Sequence, residues 1–218
     1  PVRSQEFHVK GVFITFEGSE RCGKSTQSRL LYDHLVKQGC KVVYLREPGG
    51  THISEMIRNI LLDPSNAAMA AGTELLLYMA SRCQTVEEVI KPALADGAIV
   101  LCDRFLDSTV VYQGCGLGMD VKLIRSLGSF ATSAIKPDLT LLLDLPLKKA
   151  LGNIGARKDR IERRDFAYHA RVRRGYMALA RSEPRRVRIV KVAADKDRTQ
   201  AAVRAEVTAL LQRRKYRI

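Results

Sequence analysis

The stretch Gly11-Val-Phe-Ile-Thr-Phe-Glu-Gly-Ser-Glu-Arg-Cys-Gly-Lys-Ser-Thr-Gln27 decides how this 218-residue chain is read. "GVFITFEG" is a short apolar run ending in glycine, the pattern of a buried strand that feeds a turn. Gly18, Gly23, Lys24 and Ser25 then satisfy G-x-x-x-x-G-K-[ST]. Glycines let the backbone wrap an anion, and the helix that follows offers unpaired N–H groups. The lysine bridges terminal phosphates, and the serine hydroxyl suits Mg²⁺. Gly18, Ser19, Glu20, Arg21, Cys22, Gly23, Lys24, Ser25 and Thr26 are therefore expected to hold a nucleoside triphosphate. The loop interior is unusual in carrying an adjacent acid and base, Glu20 and Arg21.

Outward from this loop, strands and helices alternate. Residues 24–38 place Leu30, Leu31 and Leu35 near one helical face, and Gly39 closes that helix. "KVVYL" (41–45) reads as a strand, followed by "REPGGTH" and a helix near 53–62 that stops at Asp63-Pro64. A long helix is expected over 73–95 and a strand at 98–102. One glycine-containing helical stretch follows over 105–131, then a strand in "DLTLLLDLP" (138–146). A helix from 162 to 182, the strand "RVRIVKV" and a helix over 196–213 complete the chain. Continuous apolar strands alternating with helices indicate a parallel sheet covered on both faces. Ligands of such sheets bind beyond the carboxyl ends of the strands. The motifs sit at those ends, at residues 17, 46, 103 and 145, so they are expected on one edge.

Length and composition bound the function. The chain suffices for one sizeable core, taken as a single domain over 11–213, with residues 1–10 set aside as an N-terminal extension. No apolar run approaches the ~18 residues of a membrane span. The five cysteines (Cys22, Cys40, Cys83, Cys102, Cys115) show no C-x-x-C spacing, and the four histidines no metal-ligand spacing. That disfavours a disulfide framework or zinc site and points to a reducing, cytoplasmic location. The net charge of +14 is uneven. Residues 1–150 carry 17 Lys and Arg against 16 Asp and Glu, whereas residues 151–218 carry 20 against 7. A nucleic-acid-binding module would be basic throughout, whereas the first 150 residues are close to neutral. The basic segment "GARKDRIERRD" (155–165) instead reads as a lid over phosphates, set at about 154–164, with Arg157 and Arg160 as its charges. "LCDR" adds Asp103 as a Mg²⁺-placing acid and Arg104 as a phosphate fork.

"FEGSERCGKSTQ", "REPGGT", "ELLLYMASRCQ", "CDRFLDSTVVYQG", "PDLTLLLDLP" and "DRIE…RVRRGY" together resemble the thymidylate kinases, in the same order and at similar spacing over residues 11–195. The resemblance implies a P-loop nucleoside monophosphate kinase fold, α/β, with a doubly wound five-stranded parallel sheet, helices on both faces and a short basic lid. It implies a homodimer that transfers the γ-phosphoryl of MgATP to dTMP, giving dTDP and ADP. By the same resemblance Tyr78 stacks on thymine and Arg82 bonds its carbonyl. Ser108, Thr109, Tyr112 and Gln113 line the acceptor pocket, with Tyr112 beneath the sugar. Pro48 and Gly49 shape the acceptor loop, which Arg46 and Glu47 flank, with Glu47 in a polar role there. Arg104 bridges the two phosphate groups, Arg21 lies near the γ-phosphate, and Glu20 reaches the 3′-hydroxyl. The catalytic set is then Arg21, Lys24, Arg104, Arg157 and Arg160, and the metal set Ser25 and Asp103.

The chain departs from the family pattern in carrying arginines in both loop and lid, in Asn153, and in Thr85 after Gln84. Another nucleoside monophosphate kinase or a deoxynucleoside kinase is the nearest rival. "AIKPD" (134–138) is no guanine-reading motif, because Ile135 stands where Asn is needed.

Overall fold

A computed structural model describes residues 11–152 and 159–216. Residues 1–10 and lid residues 154–158, Arg157 included, lie outside the described residues. Five strands, β1 (Val12–Glu17), β2 (Val42–Arg46), β3 (Ile99–Asp103), β4 (Leu139–Asp144) and β5 (Val187–Lys191), form one sheet in the order β2-β3-β1-β4-β5. Every pairing is parallel, with Phe16 and Arg46 both opposite Asp103, and Asp144 opposite Lys191. The carboxyl ends of the strands therefore share one edge, where the motifs were expected.

The central strands are apolar because both faces are covered. Ile14 and Phe16 turn to a core shared with Leu31 and Leu35 of α1 (Lys24–Lys37) and Val203, Val207 and Leu211 of α9 (Lys196–Arg213). Phe13, one residue out of phase, faces the opposite core with Val100 and Phe105. Its ring meets that of Phe105 edge-on, with centroids 4.9 Å apart. On the same side α8 (Phe166–Ser182) packs Val172 and Tyr176 against Val111, Tyr112 and Leu142. β4 leads into the short α7 (Leu147–Gly152).

Helix boundaries differ from expectation in three informative places. The long helix runs as α3 (Ala71–Thr85), a π turn over Val86–Ile90 and α4 (Lys91–Ala95). Pro92 is accommodated at the start of α4, directly after the register of the ladder has changed. The stretch expected as one helix over 105–131 divides into α5 (Leu106–Thr109), a π segment over Val110–Gly116, and α6 (Val121–Ala131). Gly118 turns the chain at φ +77°, and Asp120 caps α6 by accepting from Lys122 N at 2.8 Å. A Cβ on Gly116 would stand 2.6 Å from the Tyr168 ring, so the glycine lets α8 approach the π segment. Finally, α8 begins at Phe166 rather than 162. Asp165 caps it through Tyr168 N at 2.6 Å, and Asp159 ties the preceding turn through Ile161 N and Glu162 N.

Candidate active site

The phosphate loop joins β1 to α1. Gly18 has φ +140°, and a Cβ there would lie 2.5 Å from the carbonyl of Leu143, so both backbone shape and the neighbouring strand require glycine. Lys24 is buried, and its Nζ donates to the carbonyls of Gly18 at 3.1 Å and Ser19 at 2.8 Å. The ammonium is thereby held across the loop mouth. The Ser25 hydroxyl donates to Asp103 Oδ2 at 2.5 Å, which brings together the two oxygens expected to serve Mg²⁺. Cys22 turns its thiol into the core beneath the loop. Its contribution at the loop surface is its backbone.

The adjacent acid and base diverge. Arg21, at φ +55°, sends its Nε to Glu162 Oε1 at 3.1 Å, across to the lid segment. Glu20 turns inward, where its Oε1 accepts from Arg104 Nη2 and from the Tyr112 hydroxyl, each at 2.8 Å. Burial alone would raise the pKa of Glu20. Arg104, Lys24 and the Tyr112 hydroxyl outweigh it and hold the carboxyl down at about 2. Arg104, at φ +72°, spreads its guanidinium over Gly18 O (3.1 Å), Ser108 Oγ (3.1 Å), Glu20 and Tyr112, placing one cation between loop and cleft.

A cleft opens behind this cluster. Tyr78, Arg82, Ser108, Thr109, Tyr112, Gln113, Glu47 and Pro48 all line it, as expected from the sequence. Arg82 is 2% exposed, with Nε on Glu47 Oε2 at 2.7 Å and Nη2 on the Phe105 carbonyl at 3.2 Å. Burial pushes Glu47 up to about 7 against the pull of Arg82, and its other oxygen is buried with no hydrogen-bond partner among the described residues. Thr85, a departure in sequence, proves structural. Its hydroxyl lies 3.1 Å from the Gly49 carbonyl and 3.0 Å from Ser54 Oγ, which fastens α3 to the acceptor loop and to α2 (His52–Leu62).

A second, more open cavity lies over the phosphate loop, lined by Arg21, Gly23, Lys24, Ser25, Thr26 and Asp103. The two cavities share Glu20, Glu47, Arg58, Arg104 and Asp159 as walls. They are one continuous site with a deep, partly aromatic end and a polar outer end.

The architecture and the comparisons agree. The family model for thymidylate kinase matches residues 16–203. The chain belongs to the thymidylate kinase family. A thymidylate kinase of Geotalea daltonii is 52% identical over 210 residues, covering 92% of this chain and 98% of its own. That of Symbiobacterium thermophilum is 47% identical, covering 93% and 95%. The crystal structure of thymidylate kinase from Ehrlichia chaffeensis superposes with a TM-score of 0.75 at 33% identity, over 91% of this chain and 98% of that one. The chain is thus an ATP-dependent nucleoside monophosphate kinase.

One expected position in this thymidylate kinase is occupied differently. Arg160, read as a mobile lid charge, is 7% exposed. Its Nη1 donates to Glu74 Oε2 at 2.5 Å and its Nε to the Leu61 carbonyl at 2.8 Å. Apposition of this part of the lid segment to the end of α2 turns the side chain away from the phosphate loop, and it does not line the outer cavity. Several contributors were missed in the sequence. Arg58, with Nη1 on the Pro48 carbonyl at 2.8 Å, lines both cavities. Glu17 accepts from Phe105 N at 2.8 Å, Ser108 N at 3.2 Å, Ser108 Oγ at 2.5 Å and the Tyr176 hydroxyl at 2.7 Å. It therefore fixes the entry to α5, and burial, reinforced by Asp107, raises its pKa. An acid ending an otherwise apolar strand was a usable signal for Glu17. Nothing local marks Arg58.

Proposed function

We propose that the outer cavity receives the phosphates of MgATP and the inner cleft receives dTMP, so that the γ-phosphoryl group passes to the dTMP phosphate within one enclosure. The observation that carries this reading is the shared wall of Glu20, Glu47, Arg58, Arg104 and Asp159. An oxygen of the dTMP phosphate forms the new bond to the γ-phosphorus as the bond to the bridging oxygen of ADP breaks. Phosphoryl transfer of this kind asks the protein mainly to position and neutralise charge.

The residues divide that work. Loop amides and the N-terminus of α1 hold the donor, and Lys24 exchanges its carbonyl partners for the terminal phosphates. Arg104 stands between the anions, Arg21 neutralises the charge that develops on the γ-phosphoryl, and Arg58 adds positive charge at the acceptor. Tyr78 supplies a flat face for thymine, while Arg82 and Gln113 meet its polar edge. Ser108 and Thr109 flank the base and sugar. Tyr112 closes the space that a 2′-hydroxyl would need. Glu20 uses Oε1 for Arg104 and Tyr112, leaving Oε2 for the 3′-hydroxyl. Ser25 and Asp103 offer hard oxygen donors 2.5 Å apart at the loop, which fits Mg²⁺. No cluster of three or more His, Cys, Asp or Glu suited to a metal occurs among the described residues, and Ser25 and Asp103 are the residues that would hold Mg²⁺ here. When bound, Mg²⁺ screens the phosphate charge and aligns the β- and γ-phosphates.

Glu20→Gln is expected to raise KM for dTMP about tenfold while changing that for ATP less than twofold, because the amide weakens the charge-assisted pairing with Arg104. Initial-rate measurements with each substrate varied decide this. An equal effect on both would remove Glu20 from the acceptor site.

A homodimer is supported by one surface. α2 packs on α3 and α3 on α6, and these helices leave Ile53, Met56, Ile60, Leu76, Leu123 and Phe130 exposed, the last at 82%. Neighbouring exposed apolar side chains of this kind suit an interface between copies. Sedimentation at the mass of a single 24.3-kDa chain would exclude that assembly. All five cysteines are free thiols, which supports a cytoplasmic location. No helix among the described residues is long and apolar enough to cross a membrane.

A further inference from the structure

Glu74 lies in the first turn of α3, four residues before Tyr78, and is fully buried. Its carboxylate gathers three donors from distant parts of the chain. Oε1 accepts from Gln113 Nε2 at 2.8 Å, and Oε2 from Arg160 Nη1 at 2.5 Å and Arg164 Nη2 at 2.7 Å. A buried carboxylate between two guanidinium groups is costly to leave incomplete, so its geometry is firmly set. None of these contacts reaches a phosphate or a reacting atom.

We infer that Glu74 is the positioning residue that selects a pyrimidine imide, thymine or uracil, over cytosine, by dictating which end of the Gln113 amide faces the cleft. The inference rests on the placement of the base in the inner cleft given above. An amide has a donating and an accepting end, whereas a carboxylate only accepts. Gln113 must therefore show Nε2 to Glu74, and Oε1 remains as its acceptor on the cleft side, where Gln113 forms part of the wall. Next to it stands Arg82, which has donors only. An acceptor beside a donor complements the N3–H and O4 of thymine. Cytosine presents the reverse, an unprotonated N3 and a 4-amino group, and would leave acceptor against acceptor and donor against donor. Mismatched buried polar groups discriminate far more strongly than apolar shape does. The same carboxylate holds Arg160 and Arg164, which flank Ile161 in the cleft wall, so base orientation and closure of the cleft share one anchor.

Glu74→Gln tests this, since a neutral amide at 74 can donate or accept and frees Gln113 to turn over. The expected result is at least a tenfold fall in the ratio of kcat/KM for dTMP to that for dCMP, carried by KM for the monophosphate, with KM for ATP unchanged. A ratio within twofold of wild type would overturn the inference, because a purely structural role lowers both substrates alike. Should Glu74→Gln fail to fold, Glu74→Asp keeps the charge facing the arginines but draws it back from Gln113. The same ratio is then read, with the same fall expected and the same constancy overturning it. Tyr78→Ala separates the two layers of argument. If it leaves KM for dTMP unchanged, the base is not in this cleft and both readings fall. If it raises KM while the Glu74 variants keep the ratio, only the role of Glu74 fails.

Discussion

Arg104→Met is expected to lower kcat/KM for dTMP by at least ~10³-fold, the largest loss from any single change in the site. Arg104 touches the loop carbonyl of Gly18, the acid Glu20 and the hydroxyls of Ser108 and Tyr112, so in the proposed reading its guanidinium stands between the donor and acceptor phosphates. Methionine retains the bulk of the stem and removes the charge at the point where two anions approach. It also leaves Glu20, now held at about 2, without its main counter-charge. The folded state is expected to lose about 3 kcal/mol in consequence, because an uncompensated, partly buried carboxylate remains. Arg104→Lys separates the two effects. It keeps the charge but loses the planar fork that spans five partners, so stability recovers more than activity does. Initial rates of ADP release together with thermal unfolding measure both. A loss of less than tenfold in kcat/KM would remove Arg104 from the reaction path.

Arg21→Ala is the second large effect, a fall in kcat of at least ~10²-fold with KM for both substrates within about threefold. The split follows from where the side chain sits. It is 37% exposed and pairs with Glu162 of the lid segment at 3.1 Å, and an ion pair this open to solvent adds little to folding stability. In the proposed reading it delivers charge as the γ-phosphoryl moves, an interaction stronger in the transition state than in the ground state. The melting temperature should stay within about 2 °C. Turnover close to wild type would shift the task to Arg157, since Arg160 is committed to Glu74.

These two expectations draw differently on sequence and structure. The loop arginine was visible in the primary sequence because the phosphate loop is a local device, in which glycines and the following helix lie within eight residues of one another. The placement of Arg104 next to it was visible only as a probability of topology. Parallel strands had to end on a common edge before Asp103 and Arg104 could meet Ser25 and Glu20, and the register of Phe16 with Asp103 brings that about. Tyr78 and Arg82 were legible through the resemblance to the thymidylate kinases, and their four-residue spacing on one helix is compatible with it without singling them out. Helix interruptions were less so. The π segment over Val110–Gly116, which carries Tyr112 and Gln113, has no periodic signature in seven residues.

What the chain's order of residues determined alone is the set of local devices: apolar runs that must be buried on both faces, glycines that admit backbone shapes closed to other residues, and a lysine and serine at fixed offsets from them. Tertiary structure decided which charges are free to act. Arg160 and Glu74 are 86 residues apart, and Glu17 and Tyr176 are 159 apart, yet each pair is in direct contact. Only packing sets such distances, and a guanidinium within 2.5 Å of a buried carboxylate is an anchor, whereas the same group facing an open cavity is a reagent.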